Sequence, residues 1–249
     1  MKITVIGAGN MGGALIKGWA KATRAGKADL DITLTAHTQQ TLDKFSLAYP
    51  ELHTLLNNRE AVKDADIVLL AVKPWLIDSV VAEIADSLKG KTVVSVAANA
   101  RNERIDIYAM PNIGAEFGQS MTFIERNEQK DITLIEQLFS LVGSAMVVDQ
   151  KHMGAGMMMA GCGIAYVMRF LRAMMEGGVE MGFYPKEAQQ IAMQTMEGAI
   201  TLLQETGLHP EAAIDKVTTP GGVTIKGLNE LDHAGFNSAV IRCLKAGLK

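Results

Sequence analysis

Apolar positions follow two different rhythms along this chain, and the change between them falls near residue 150. In the first rhythm, short apolar runs alternate with stretches of helical period. Lys2-Ile-Thr-Val-Ile6 reads as a short buried strand, and Met11, Leu15 and Trp19 recur every four residues, so that they share one face of a helix over about 11–24. Segments 31–36 and 52–56 read as further strands. Residues 66–72 are apolar at nearly every position, as a parallel strand covered on both faces requires. A helix over 75–88 and a strand over 92–98 follow, then weaker strands at 107–110 and 144–148 with a helix over 131–141 between them. This alternation predicts an α/β fold: a Rossmann-type doubly wound parallel sheet over residues 1–150.

From Lys151 onward no strand pattern remains. Residues 152–182 are Met- and Gly-rich and read as one long helix. Pro185 suits the first turn of the next helix, which runs to about Thr206, where Gly207 can end it. A short helix over 211–217, the turn Thr218-Thr-Pro-Gly-Gly222 and two more helical stretches complete an all-helical domain over 151–249, joined with no evident linker. The methionines of 152–182 could form an adaptable binding surface. The favoured reading is a buried or subunit-interface helix, because a helix this apolar needs cover on most sides. In a chain of 249 residues a second copy supplies that cover, so a homo-oligomer, at least a dimer, is expected.

Composition narrows the classes. Hydrophobic residues make up 48% and charged residues 20%, ordinary for a protein with a sizeable core. With 24 Lys+Arg against 27 Asp+Glu and no cationic block, nucleic acid is not the expected partner. Cys162 and Cys243 form no framework and fit free thiols in a reducing compartment. No uninterrupted apolar run spans a bilayer, and the chain opens directly on a strand with no signal peptide before it, so a cytoplasmic location and no membrane partner are expected. No His/Cys/Asp set has metal spacing, and no Ser-His-Asp arrangement stands out.

The strongest chemical signal is Gly7-Ala-Gly9-Asn-Met-Gly12, a G-x-G-x-x-G run between a strand and a helix. Gly7 permits the tight turn, Gly9 lets backbone approach a pyrophosphate, and Gly12 lets helix and strand come close. The helix N-terminus then offers N–H groups and positive dipole to the phosphates. A site selective for NAD carries an acid at the end of strand two to hold the ribose 2′-hydroxyl. Here that position reads Ala36-His37-Thr38-Gln39-Gln40, while Asp29 and Asp31 precede the strand. Nothing there repels a 2′-phosphate, and His37, Thr38 and Gln39 can donate to one, so NADPH is favoured, with NADH an admissible alternative. His37 can equally be a solvated loop residue.

Ligands of such sheets sit at the carboxyl ends of the strands. Ala71, Val72, Lys73 and Pro74 end one strand, Val96, Ala97 and Ala98 another, and Met110-Pro-Asn112 a third. Asn112 can bond cofactor or substrate, and Lys73 can meet a carboxylate or water. In the helical half, Val217-Thr-Thr-Pro-Gly-Gly-Val-Thr224 feeds a second helix N-terminus whose amides suit a small carboxylate. The Thr224 hydroxyl can cap that helix or contact a ligand.

These residues resemble the pyrroline-5-carboxylate reductase family over nearly the whole chain. The likeness rests on Ile6-Gly-Ala-Gly-Asn-Met11 with Gly12, Asn58 before Glu60-Ala-Val62, Ala71-Val-Lys-Pro74, Met110-Pro-Asn112, Gly161-Cys-Gly-Ile-Ala-Tyr166 and, most specifically, Thr219-Pro-Gly-Gly-Val-Thr224. The resemblance implies an oxidoreductase with a Rossmann domain and a helical substrate-binding and dimerisation domain, which reduces the ring imine of 1-pyrroline-5-carboxylate to L-proline. It implies that Ile6, Gly7, Ala8, Gly9, Asn10, Met11 and Gly12 surround the pyrophosphate and that Asn58 faces the adenosine. Ala71–Pro74 and 96–98 would line the ribose and nicotinamide. Thr219, Gly221, Gly222 and Val223 would hold the substrate carboxylate, and Thr224 the ring nitrogen. The implied chemistry is hydride transfer to a protonated imine, which needs no strong side-chain acid. The family usually has Thr-Pro at Ile113-Gly114 and Ser and Pro at Cys162 and Ile164, so this chain departs from the pattern near the expected pocket. Two other readings are weighed: an NADP oxidoreductase acting on a hydroxy acid, which would place a lysine on the inter-domain helix where only Lys151 stands, and a non-catalytic dinucleotide-binding protein.

Overall fold

Strand β1 (Lys2–Ile6) is buried from Ile3 to Ile6, and everything else in the first half of the chain is arranged around it. The computed structural model describes residues 1–248. Beside β1 lie β2 (Asp31–Thr35) and, beyond it, β3 (His53–Leu55); on the other side follow β4 (Ile67–Leu70), β5 (Thr92–Ser95), β6 (Ile107–Met110), β7 (Ser120–Glu125) and β8 (Gly143–Val148). The sheet order is β3-β2-β1-β4-β5-β6-β7-β8. All neighbours run parallel except β6 and β7.

The α/β, doubly wound architecture is as the apolar rhythm predicts. The expectation of a wholly parallel sheet is corrected by β7, which the sequence reading omitted. The reason is chemical: β7 turns Ser120, Thr122 and Ile124 inward. Two of its three core positions are therefore hydroxyl residues, satisfied by the 3.1 Å contact between Ser120 Oγ and Thr122 Oγ1, and no apolar run marks the strand.

Helix α1 (Asn10–Arg24) buries Leu15, Ile16 and Trp19 on one face of the sheet. The Trp19 indole tilts against Phe139 of α5 (Thr133–Ser140), and its Nε1–H donates to the Leu138 carbonyl at 2.9 Å. This satisfies the one polar atom of a fully buried side chain. Helix α2 (Gln39–Ala48) buries Leu42 in the same cluster. On the opposite face a second cluster joins Ile6, Val68 and Leu70 to Val62, just after α3 (Asn58–Ala61), and to Ile77, Val81 and Ile84 of α4 (Ile77–Ile84). A sheet covered on both faces explains why β4 is apolar throughout. The expected 75–88 helix is α4 flanked by single 3-10 turns at Pro74–Leu76 and Ala85–Ser87.

The chain divides into two compact units, Met1–Cys162 and a second beginning at Gly163. The expected 152–182 helix begins at Gln150 as α6 (Gln150–Gly156), passes through a π turn at Met157–Gly161 and resumes as α7 (Gly163–Glu180). Cys162 N–H donates to the Met157 carbonyl at 2.8 Å, the wide ring of a π turn. Within Gln150–Glu180 an 18-residue stretch reaches a mean hydropathy of 1.3, long and apolar enough to cross a membrane by length and composition alone. Arg169, Arg172 and Glu176 interrupt this helix, so it is not an uninterrupted apolar run of the kind whose absence was expected.

The second unit contains α7, α8 (Pro185–Thr206), α9 (Pro210–Lys216), α10 (Val223–His233) and α11 (Phe236–Ala246). It is helical throughout its described residues, as expected. Gly207 ends α8 with φ +63°, the left-handed conformation that glycine adopts without strain. The unit's own core is thin. Ala188 and Ala192 are its only fully buried apolar side chains among the described residues, whereas Ile200, Ile241 and Met193 are each more than half exposed.

Candidate dinucleotide and carboxylate sites

Four strands end side by side. Gly7 N–H donates to the Thr35 carbonyl at 3.1 Å, Ala71 N–H to Ile6 at 2.9 Å, and Val96 N–H to Leu70 at 3.0 Å. These lateral bonds bring Ile6, Gly7, Ala8, Ala71, Val72 and Val96 to one edge of the sheet. The strands stop short of the predicted ends, so 71–74 and 96–98 leave the ladder as loops. Ala71 and Val96 N–H still meet the neighbouring strands and Ala97 N–H meets Ser95 Oγ, so the chain leaves the sheet at Val72 and Lys73 and at Ala98.

The glycine turn is built for close approach. Gly7 sits at φ +105°, where a side chain would be strained, and a Cβ there would lie 2.8 Å from the Ala71 carbonyl oxygen. A Cβ on Gly12 would lie 1.9 Å from Gly7 O, so α1 meets the turn at a distance only glycine allows. Gly9 is different: its Cβ position faces open space. Gly9 is also the N-cap of α1 and no side chain caps that end. The first turn, with Asn10, Met11 and Gly12, has no acidic residue. Uncapped amides, open space and no opposing charge suit an anion at the helix N-terminus. Beside this turn a cavity of about 520 Å³ is lined by Ala8, Gly9, Asn10, Lys17, Lys44 and Phe45, among others.

The other expected cofactor residues fall around this edge with different freedom. His37 is exposed just beyond β2. Thr38 caps α2, accepting from Thr41 N–H at 3.3 Å, and Gln39 donates to Asp43 Oδ1 at 2.8 Å. Asn58 is held at both ends of its amide: it accepts from Thr35 Oγ1 at 2.7 Å and donates to Glu83 Oε2 at 3.0 Å. Lys73 is exposed and makes no ion pair among the described residues. Ala97 is buried, with its N–H on Ser95 Oγ at 3.2 Å, and Val96 and Ala98 are half-buried.

Asn112 is buried and its side chain is occupied. Its Oδ1 accepts from Gly114 N–H at 2.9 Å, capping the 3-10 turn Ile113–Phe117, and its Nδ2 donates to the Ala160 carbonyl in the π turn at 3.3 Å. Asn112 therefore ties the end of β6 to the π turn. Sequence reasoning missed Asn99, at φ +58° beyond β5, and the clamp on its loop. There Arg101 meets both Glu125 carboxylate oxygens, at 2.8 and 2.6 Å, and lies 4.0 Å from the Tyr108 ring centroid. Glu125 hydrogen bonds raise the Arg101 pKa above its ordinary value. The signal for Asn99 was its residue type, since asparagine tolerates the left-handed region better than most.

In the helical unit, Gly222 N–H donates to the Thr219 carbonyl at 2.9 Å, and Gly221 takes φ +70°. This closes the turn before α10. The N-cap of α10 is Gly222, with no side-chain cap bond, so the alternative that Thr224 caps this helix is corrected. Thr224 is exposed in the first turn, and its hydroxyl makes no hydrogen bond among the described residues. Thr219 and Val223 are also exposed. The segment thus presents a helix end with no side-chain cap and, among the described residues, two hydroxyls without a hydrogen bond, those of Thr219 and Thr224.

Residues 150–249 match the pyrroline-5-carboxylate reductase dimerisation family, and residues 2–99 match the family described as NADP oxidoreductase, coenzyme F420-dependent. A pyrroline-5-carboxylate reductase of Synechocystis is 37% identical, covering 78% of this chain and 76% of the relative. One from Glycine max is 32% identical, covering 98% and 92%. The chain belongs to the pyrroline-5-carboxylate reductase family. A third relative, pyrroline-5-carboxylate reductase 1 of Dictyostelium discoideum, is 34% identical over 96% of this chain, and the chain spans 47% of that relative's length. The solved pyrroline-5-carboxylate reductase of Coxiella burnetii superposes with a TM-score of 0.87 at 28% identity, covering 98% of this chain and 95% of that one. The Plasmodium falciparum pyrroline carboxylate reductase with NADP bound has the same fold, with a TM-score of 0.87 at 22% identity and coverage of 99% and 95%.

Proposed function

We propose that this chain carries out its family's reaction, the reduction of the ring imine of 1-pyrroline-5-carboxylate to L-proline, with NADPH as donor. It is an NAD(P)H-dependent oxidoreductase acting on a cyclic C=N bond and belongs to proline biosynthesis. The observation that carries this reading is family membership, through relatives of 32–37% identity that share most of the chain. It favours imine reduction over the hydroxy-acid and non-catalytic alternatives.

The residues present fit the cofactor. The uncapped first turn of α1 and the open space at Gly9 accept a diphosphate. The end of β2 has no carboxylate to repel a 2′-phosphate, which supports NADPH over NADH, with exposed His37 the group freest to donate there. When bound, NADPH supplies a hydride to the imine carbon, and the C=N π pair moves to the already protonated nitrogen. Ala71, Val72, Lys73, Pro74, Val96, Ala97 and Ala98 orient the nicotinamide half, and Asn58 faces the adenosine. Thr219, Gly221, Gly222 and Val223 form the turn that receives the substrate carboxylate, and the free Thr224 hydroxyl orients the ring nitrogen. Asn112 shapes the pocket wall through its bonds to Gly114 and Ala160.

The protein acts as a homodimer at least, assembled through the helical region. Support comes from the dimerisation-family match and from a unit with almost no buried core of its own. On this reading Gln150–Glu180 meets a subunit surface and not a bilayer, and the enzyme works in the cytoplasm with no nucleic-acid partner. The test is direct. Purified protein given 1-pyrroline-5-carboxylate and NADPH should consume NADPH and form proline. No turnover with either NADPH or NADH overturns the reading.

A further inference from the structure

The chain has two tryptophans, and the fold treats them in opposite ways. Trp19 is fully buried, with its N–H satisfied. Trp75 is 74% exposed, and its neighbour Leu76 is 42% exposed. A single exposed apolar residue needs no explanation, but an exposed indole next to a ligand-binding edge is a different matter. Trp75 follows Lys73 and Pro74 directly, and Val72 lies against the Gly7 turn, where a Cβ on Gly7 would be 3.1 Å from its Cγ1. The indole therefore stands three residues from the backbone that meets the dinucleotide turn.

The backbone beneath Trp75 is fixed. Leu76 N–H donates to the Lys73 carbonyl at 2.9 Å, Ser79 Oγ donates to the Leu76 carbonyl at 2.9 Å, and Asn102 Nδ2 reaches Asp78 Oδ1 at 2.8 Å. A held backbone under an unburied indole is a preorganised flat surface. Lys73 Nζ lies 6.0 Å from the ring centroid, the outer limit of a cation–π contact, which puts a positive charge beside that surface. A flat aromatic face next to an ammonium and an anion-binding turn suits a heteroaromatic ring attached to phosphates.

We infer that Trp75 is a platform for one of the two flat rings of bound NADPH, adenine or nicotinamide. This rests on the proposed NADPH-dependent reaction and adds a residue that holds the cofactor. The test compares wild type, Trp75→Ala and Trp75→Phe for the KM of NADPH and for inhibition by 2′,5′-ADP, which carries the adenine half alone. Trp75→Ala should raise the KM for NADPH about five-fold, the size of a stacked aromatic pair, with the loss in KM and not in kcat. Trp75→Phe should recover most of it. A matching rise in the 2′,5′-ADP inhibition constant assigns the adenine ring; an unchanged constant with a raised KM assigns the nicotinamide. Because the side chain is largely exposed, melting temperature and oligomeric state should not move. A KM for NADPH within two-fold of wild type in Trp75→Ala overturns the inference, as does a KM change that accompanies loss of the oligomer. A wild-type protein that reduces 1-pyrroline-5-carboxylate with neither NADPH nor NADH defeats the functional reading itself, which separates the two failures.

Discussion

Thr224 shows how a single hydroxyl changes meaning once its surroundings are known. A threonine in the first turn of a helix is ordinarily credited with capping. Here the cap is Gly222, so Thr224→Ala removes no internal hydrogen bond. It should lower kcat for imine reduction by about ten-fold or more, one hydrogen bond's worth of orientation, while the melting temperature stays within about 2 °C of wild type. Kinetics and a thermal melt on the same preparation check this, and unchanged kcat removes Thr224 from the reaction. Gly12 is the opposite case, since its role is entirely steric. A Cβ 1.9 Å from Gly7 O forces α1 away from the turn, so Gly12→Ala should cost about 1–3 kcal/mol of stability and abolish measurable NADPH binding. Urea unfolding and a cofactor titration read the two effects separately. Gly12 was legible in the sequence because the spacing of the motif encodes the steric need. The freedom of Thr224 was not, because residue type alone does not say which neighbour caps a helix.

At the level of elements, the parallel strands were readable because burial on both faces writes a continuous apolar run. Strand β7 escaped because its buried positions include Ser120 and Thr122, whose hydroxyls satisfy each other. The π turn at Met157–Gly161 escaped for a related reason: helical period does not distinguish an i−4 from an i−5 bond over a single turn. Asn112 connects these two hidden features: its backbone N–H donates to Ser120 Oγ of β7 at 3.0 Å and its Nδ2 to the Ala160 carbonyl of the π turn at 3.3 Å, while its Oδ1 accepts from Gly114 N–H. Asn112→Ala leaves one half-buried donor and one half-buried carbonyl without their partners, and should destabilise the protein by about 1–3 kcal/mol. Denaturant midpoints at constant m-value would show it. Asn112→Asp keeps the acceptor for Gly114 and loses the donor for Ala160, so it should fall between alanine and wild type.

The two units of the molecule are stabilised by different means. Residues 1–162 contain two apolar clusters on either side of a sheet. The helical unit leaves Val167, Met168, Ile200, Val240 and Ile241 about half exposed. At roughly 25 cal/mol per Å² of apolar area, such surfaces are strongly favoured to associate. Ile241→Glu would bury an unpaired charge in a helical interface, and should give a monomeric or aggregating protein by size-exclusion chromatography with light scattering. A dimer of unchanged stability would exclude the α11 face from the contact.

The amino-acid sequence by itself determined the dinucleotide turn, the alternation of strands and helices, the switch to an all-helical second half and the Pro-Gly-Gly-Val-Thr segment. Each depends on local periodicity or on the steric demands of a few adjacent residues. Only the tertiary structure decided that Asn112 and Asn58 have their amides engaged, that Thr224 is free, that β7 runs antiparallel to β6 and that Trp75 stands uncovered while Trp19 is buried. These facts depend on which residues distant in sequence become neighbours. A hydrogen bond across 48 positions, like that from Asn112 to Ala160, leaves no mark in any local pattern.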